Sequence, residues 1–258
     1  MPYSSISPYA YPSRLPRERH PAGPDGRPAT RWTDPRIAAA YAERDDASDR
    51  AAVWPALADS VRPTDPRREP GRADGTVLEL GCGIGGFARH LVERDWVRVL
   101  AVDRSAAMHR IGELRHRDAW IERSLPRRDG SLVLPPDECS GAVCSLLLVH
   151  LPHPCVVVGV LSEARRVLQT GAPLAVAEPA GLIGWRCNDP DVPFGGTYVA
   201  RYPLCDGSHL PVTAWRHSPA AVADCLASSG FALDEIVPLT SPGRAEAGEL
   251  MLYRAHAV

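Results

Sequence analysis

Residues 76–91, TVLELGCGIGGFARHL, constrain this chain more than any other stretch: they read as strand, tight turn and helix. Val77, Leu78 and Leu80 form an apolar, strand-favouring run; Gly81, Gly83, Gly85 and Gly86 interrupt it; Phe87, His90 and Leu91 open a helical spacing. A turn of this kind lets a ligand reach bare backbone amides at a helix N-terminus, where a side chain would block the approach. Gly81, Gly83 and Gly86 also satisfy the dinucleotide spacing G-x-G-x-x-G, a weak pattern by itself. Glu79 decides between ligands. A carboxylate two positions before the first glycine repels a pyrophosphate and attracts an ammonium group, which argues against a nicotinamide dinucleotide and for a cationic amino-acid nucleoside.

A second acid follows. Val97–Val102 reads as the next strand and ends at Asp103, 103 − 81 = 22 residues after the first glycine, close to the ~20 at which an acid meets ribose hydroxyls in βαβ units. Glu79–Gly85 (ELGCGIG), Asp103-Arg104-Ser105 and Met108 together resemble the first two cofactor motifs of the class I S-adenosylmethionine-dependent methyltransferases. The resemblance implies an α/β, Rossmann-like, doubly wound fold. Its mostly parallel seven-stranded sheet would have an antiparallel last strand, an N-terminal helical lid and an insert after strand five.

S-adenosyl-L-methionine is the implied cofactor. The resemblance puts Glu79, Gly81, Cys82 and Gly83 near its methionine part, Asp103 on the ribose with Arg104 and Met108 in the same motif, and Tyr41 in the lid. It puts Asp129 at the adenine amine, which donates hydrogen bonds that a carboxylate accepts, with Gly130 beside it. Asp118 competes with Asp129, because this segment departs from the usual apolar spacing. Ser145 and His150 match a small polar residue at the end of strand four and a histidine shortly after it.

The chain divides into a proline- and serine-rich arm (1–30), a helical lid and linker (31–75) and a catalytic domain (76–258) with an insert at 181–217. Asp34-Pro35 and Ser218-Pro219 look like helix starts. Gly141–Leu148 reads as strand four, Leu161–Leu168 as a helix, Leu174–Ala177 as strand five ending at Glu178-Pro179, and Phe231–Leu239 with Glu249–Arg254 as the last two strands. The apolar run 143–161 has the length of a membrane span. His150, Pro152, His153 and Pro154 in its middle favour strand, loop and helix instead.

Trp185, Phe194, Tyr198, Tyr202 and Trp215 give the insert an aromatic character suited to binding a small acceptor. The same rings could equally form a second small core. The electrophile comes with the cofactor, so the protein must align the acceptor and, where the acceptor is protonated, remove its proton. His217, His150 and His209, in that order, are the candidate bases. His150 and His153 lack a third ligand, so no metal site is expected.

A formal charge of −2 offers no basic field for nucleic acid. The expected partner is a small-molecule acceptor, with no nucleic acid and no membrane; a homodimer is compatible with such a chain. Seven scattered cysteines without a C-x-x-C pair fit reduced thiols, and no apolar N-terminal segment resembles a signal peptide, so a cytoplasmic location is expected. O- or N-methylation, plausibly in natural-product biosynthesis, is the favoured activity. A nucleic-acid methyltransferase is disfavoured by the lack of an Asp/Asn-Pro-Pro-aromatic motif after strand four, and Cys155 after Pro154 stands in an apolar run. A cofactor-binding subunit without activity stays open, because Glu79 and Asp103 would serve it equally.

Overall fold

The computed structural model describes residues 32–44, 53–62, 75–95, 97–116, 118, 120–151, 153–179, 192–203, 207–239 and 250–258. The arm 1–30, Trp185 and much of the insert lie outside them. Helices α1 (Pro35–Arg44) and α2 (Trp54–Ser60) precede β1 (Thr76–Leu80), α3 (Gly86–Asp95), β2 (Arg98–Val102), α4 (Ala106–Arg115), β3 (Ile121–Ser124) and β4 (Gly141–Ser145). A 3-10 turn (Leu148–His150), α5 (Pro154–Val167), β5 (Pro173–Pro179), β6 (Thr197–Pro203), β7 (His209–Trp215), α6 (Pro219–Ser228), β8 (Phe231–Leu239) and β9 (Leu250–Ala257) follow.

Seven strands form one sheet in the order β3-β2-β1-β4-β5-β9-β8. The first five are mutually parallel, and β9 runs antiparallel to both β5 and β8. This is the expected sheet, with its antiparallel last strand. The period-two alternation of strand side chains sorts the core. Leu78, Leu80, Leu100, Val102, Ala142 and Cys144 face α5 and α6, whereas Val77, Val99, Ala101, Val143, Ala175 and Ala177 face α2 and α3. The strand order reverses between β1 and β4, the place where open α/β sheets bind ligands beyond their carboxyl ends.

The predicted helix starts are real. The Asp34 carboxylate accepts from Arg36 N at 2.9 Å at the head of α1. Ser105 Oγ accepts from Met108 N at 3.2 Å, and Ser218 Oγ from Ala221 N at 3.0 Å with Pro219 in the first turn. The two N-terminal helices differ in role: α2 buries Leu57, Ala58 and Val61 in the sheet's core, whereas α1 rests on α4 through Ala38, Ala42, Ile84 and Met108.

Three departures bear on the site. Strand four ends at Ser145 rather than Leu148, because Leu146 takes φ 54° and turns the chain into the 3-10 segment, whose N–H groups find a carboxylate instead of a ladder partner. Helix α5 starts at Pro154, seven residues before the predicted Leu161. Between β3 and β4 runs a loop without a helix, 125–140; Leu132 plugs the core there, its N–H held by Glu163 Oε1 at 2.6 Å. The described part of the insert is a β6–β7 hairpin.

Candidate active site

The glycine turn stands at the carboxyl ends of β1 and β2. Gly81 N and Cys82 N donate to Val102 O at 2.8 and 3.0 Å, tying the turn to the neighbouring strand. Gly81 has φ 70° and Gly83 φ 55°, where side chains are strained. A Cβ at Gly81 would meet Leu147 at 3.0–3.3 Å; one at Gly83 would begin 3.6 Å from the Tyr41 ring. Tyr41 of α1 thus stands over the turn.

Trp32 extends that roof. Its ring meets Tyr41 edge-on at 5.6 Å and His150 at 5.3 Å, and its carbonyl accepts from Ser105 Oγ at 2.9 Å. The sequence reading missed Trp32, two of whose partners, Ser105 and His150, lie 73 and 150 − 32 = 118 residues away.

Two acids converge below. Glu79 is 6 % exposed at the end of β1. Asp103 accepts from Gly83 N at 2.9 Å and from Ser105 N at 2.8 Å, so its carboxylate joins the turn to the start of α4. The field of both acids, added to burial, pushes the Cys82 thiol far above its usual range. That thiol sits in the core beneath the turn, leaving only the Cys82 backbone toward a ligand.

Arg123 is the cation of this region and was not anticipated. Its guanidinium packs where side chains at Gly85 and Gly112 would stand, 2.7 and 2.6 Å from their Cβ positions, and two of its nitrogens are buried without a hydrogen-bond partner. It opposes the two acids at Cys82. A glycine inside a helix costs about 1 kcal/mol, and Gly112 in α4 was the available sequence signal.

The other expected cofactor residues scatter. Met108 is buried between α1 and α4, Arg104 is exposed, and Ser145 is half-buried at the end of β4. Asp129 lies in an exposed turn, its carboxylate held below the usual range by Ser131 N at 3.0 Å and Ser131 Oγ at 2.7 Å, with Gly130 (φ 89°) next to it. Asp118 precedes β3, at the opposite end of the sheet from the turn, in a groove of about 330 Å³ with Glu113, His116 and Arg123.

Across the switch point the chain assembles a second wall. Glu178, 2 % exposed at the end of β5, accepts from Leu148 N at 2.8 Å and Val149 N at 3.0 Å. Burial pushes its carboxyl up to about 8. His217 Nε2 lies 2.9 Å from Leu148 O. A carbonyl only accepts, so Nε2 carries the hydrogen, and in the neutral ring Nδ1 is left as the acceptor.

The three histidines do not share one place. His150 ends the 3-10 turn against Trp32, and His217 binds the start of the same turn. His209 is exposed at the far end of the hairpin, six residues or roughly 20 Å of strand from Trp215. The aromatic residues of the insert separate likewise. Tyr198 is buried with Val149, Val192, Ala200 and Ala214 between the hairpin and the 3-10 turn, and Trp215 is also buried. Phe194 is half exposed under the Arg216 guanidinium at 4.3 Å, and Tyr202 lies on β6. Among the described residues no cluster of three or more His, Cys, Asp or Glu could hold a metal, and no helix is long and apolar enough to cross a membrane.

A bare turn, two acids and an aromatic roof fit an adenosyl amino acid: Glu79 suits its ammonium group, the glycines let it approach the backbone, and Asp103, with lone pairs beyond those taken by Gly83 N and Ser105 N, suits hydroxyl donors. Residues 77–171 match a family model described as a methyltransferase domain. N-demethylindolmycin N-methyltransferase of Streptomyces griseus is 32 % identical over 102 residues, which cover 39 % of this chain and 42 % of that protein. The match therefore spans less than half of the relative.

Among solved structures, a S-adenosylmethionine-dependent methyltransferase from Methanosarcina mazei superposes with a TM-score of 0.57 at 18 % identity, covering 72 % of this chain and 94 % of the other. Geranyl diphosphate C-methyltransferase from Streptomyces coelicolor, solved with Mg2+, geranyl diphosphate and S-adenosyl-L-homocysteine, gives 0.55 at 16 % identity, covering 81 % and 77 %. At these identities the likeness speaks for the fold. The order of the sheet and the motif at its first turn agree with the match of residues 77–171 to a methyltransferase domain.

Proposed function

We propose that the protein transfers a methyl group from S-adenosyl-L-methionine to a nitrogen or oxygen of a small-molecule acceptor. The observation that carries this reading is the convergence of Glu79 and Asp103 on a glycine turn roofed by Tyr41. Small-molecule acceptors are supported by the relative named for N-methylation of N-demethylindolmycin. When bound, S-adenosyl-L-methionine supplies a methyl group activated on sulfur.

The chain's own work is positioning. Glu79 and Asp103 hold the donor against the bare glycine backbone, and Tyr41 and Trp32 exclude water above it. His217 faces the acceptor side with Nδ1 as its basic atom, and a well-placed base contributes roughly 10²–10⁴ in rate. His150 shares the wall with Trp32. Phe194, half exposed, is the aromatic residue of the insert positioned to meet an acceptor.

The test is release of S-adenosylhomocysteine by the full chain given S-adenosyl-L-methionine and, separately, panels of small amines, phenols and activated carbon acids. Acceptor-dependent release with amines or phenols is expected. Release with carbon acids alone would refute the atom assignment; donor binding without release across all panels would point to a non-catalytic subunit.

A further inference from the structure

Two hydrogen bonds on the acceptor side share one peptide group. Val149 N–H donates to Glu178 Oε2 at 3.0 Å, and the carbonyl of that same peptide unit, Leu148 O, takes the Nε2–H of His217 at 2.9 Å. Leu148 N–H, one peptide earlier, donates to Glu178 Oε1 at 2.8 Å. Both carboxyl oxygens therefore grip the 3-10 turn, and the turn presents one carbonyl to the histidine. We propose that Glu178 is a positioning residue for His217, coupled to it through the Leu148–Val149 peptide unit. This rests on the reading of the cleft as a methyl-transfer site.

The physics is that of a chain of hydrogen bonds. A donor pulled at the N–H end of an amide increases the negative charge on its oxygen, so each bond strengthens the next. The arrangement resembles a carboxylate bonded directly to imidazole, with one amide inserted between them. It has two effects. It fixes the orientation of the Leu148 carbonyl, and through it the Nε2–H tautomer, leaving Nδ1 as the atom that can accept a proton. It also places a titratable group where charge developing on His217 is felt, without contact with a ligand.

The surroundings of Glu178 suit this role. Its neighbours are Cys144 on β4 and Tyr253 on β9, both pushed upward in pKa by burial first and by Glu178 second. The N–H groups of Leu147, Leu148 and Val149 favour its ionised form, and burial opposes them. A buried acid at the sheet's carboxyl end, tied to a turn by both oxygens, does more than fill space there. A hydrophobic residue would pack as well but leave the N–H groups of Leu148 and Val149 without partners.

The experiment is nitrogen-15 NMR of the histidine rings in the labelled full chain, with and without S-adenosylhomocysteine, above the pH of about 8 at which Glu178 ionises. His217 is expected wholly as the Nε2–H tautomer. Glu178→Gln presents an oxygen and an NH2 to two N–H donors, so one bond is lost and the tautomer preference falls roughly fivefold, as expected for one net hydrogen bond. Glu178→Asp, which keeps the carboxylate, retains more of the preference than Glu178→Gln. Should Glu178→Gln not fold, the wild-type His217 ring signals are followed as pH crosses the ionisation of Glu178 and are expected to move with it. An unaltered His217 tautomer in folded Glu178→Gln, or His217 signals indifferent to Glu178 ionisation, overturns the coupling. Calorimetric titration with S-adenosylhomocysteine on the same samples separates the two claims: failure to bind defeats the methyltransferase reading and leaves the tautomer result to decide the coupling.

Discussion

On the donor side, the hydrogen bond that joins the turn to the second acid, Gly83 N to Asp103 Oδ2, spans 20 residues and stays within one βαβ unit. On the acceptor side, Glu178 reaches back 30 and 29 residues to Leu148 and Val149, and His217 reaches back 69 to Leu148. The glycine turn and its second acid form a local strand-turn-helix-strand motif, with Tyr41 and Trp32 added from the chain before β1. The acceptor site exists only after β4, β5 and the hairpin have come together. In the proposed reaction the first can therefore stay fixed while the second varies with the acceptor.

If that contrast holds, perturbations of the two walls should separate cleanly. The largest effect concerns stability and lies on the acceptor side. Burial raises Glu178 from 4.5 to about 8 in the folded protein, so between those values the native state holds a proton that the unfolded chain has lost. The contribution of this group to stability is then greatest below 4.5 and falls as pH rises toward 8, by about 1.4 kcal/mol per pH unit. Urea unfolding at several pH values should show that slope in the wild type and a flatter one in Glu178→Gln. Equal slopes would mean that Glu178 is ionised throughout.

Asp103→Ala tests the donor wall. Removing a carboxylate bonded to the turn and aimed at the ligand should weaken S-adenosylhomocysteine by about 10–100-fold, or roughly 1.5–3 kcal/mol. The His217 ring signals should not move; if they do, the two walls are one unit and the comparison fails.

Gly112→Ala probes the support beneath the turn. The new Cβ would stand 2.3 Å from Ile84 O and 2.6 Å from Arg123, so a destabilisation of about 1–3 kcal/mol is expected, although alanine is the better helix former. A gain in stability would show that α4 moves away freely.

The smallest effect is expected at Asp129. Its carboxylate is exposed and already engaged by Ser131, so Asp129→Ala should change S-adenosylhomocysteine affinity by less than about twofold, within the spread expected of an exposed position. A tenfold loss would restore it to the adenine site that the resemblance gave it.

The same contrast explains what could be read from the sequence. The glycine turn, with Glu79 before it and Asp103 at the end of the next strand, could be drawn from the sequence because a strand, a turn and a carboxylate at fixed spacing form a local pattern; Tyr41 came only from the resemblance. The sheet with its antiparallel last strand was implied by the resemblance, while apolar runs marked its strands and Asp34 and Ser218 marked two helix starts. Strand four was drawn three residues too long, since Leu146 to Leu148 are as apolar as the strand before them. Only Glu178, distant in sequence, supplies the reason for the turn. Trp32 and Arg123 went unread for a related cause: their meaning lies in what packs on them, His150 for one and Gly85 with Gly112 for the other. His209 and Tyr198 show the converse, residue types suited to a site that the hairpin places at its exposed tip and in its core.

The central claim is that the turn beneath Tyr41 selects an adenosyl amino acid over a dinucleotide because Glu79 stands at its root. Calorimetric titration of the full chain with S-adenosylhomocysteine and NAD in parallel, repeated on Glu79→Ala, tests it directly. The account predicts binding of S-adenosylhomocysteine with a Kd on the order of micromolar, about −8 kcal/mol, lost in the variant, with no heat from NAD. Binding of NAD, or S-adenosylhomocysteine affinity indifferent to Glu79, would contradict it.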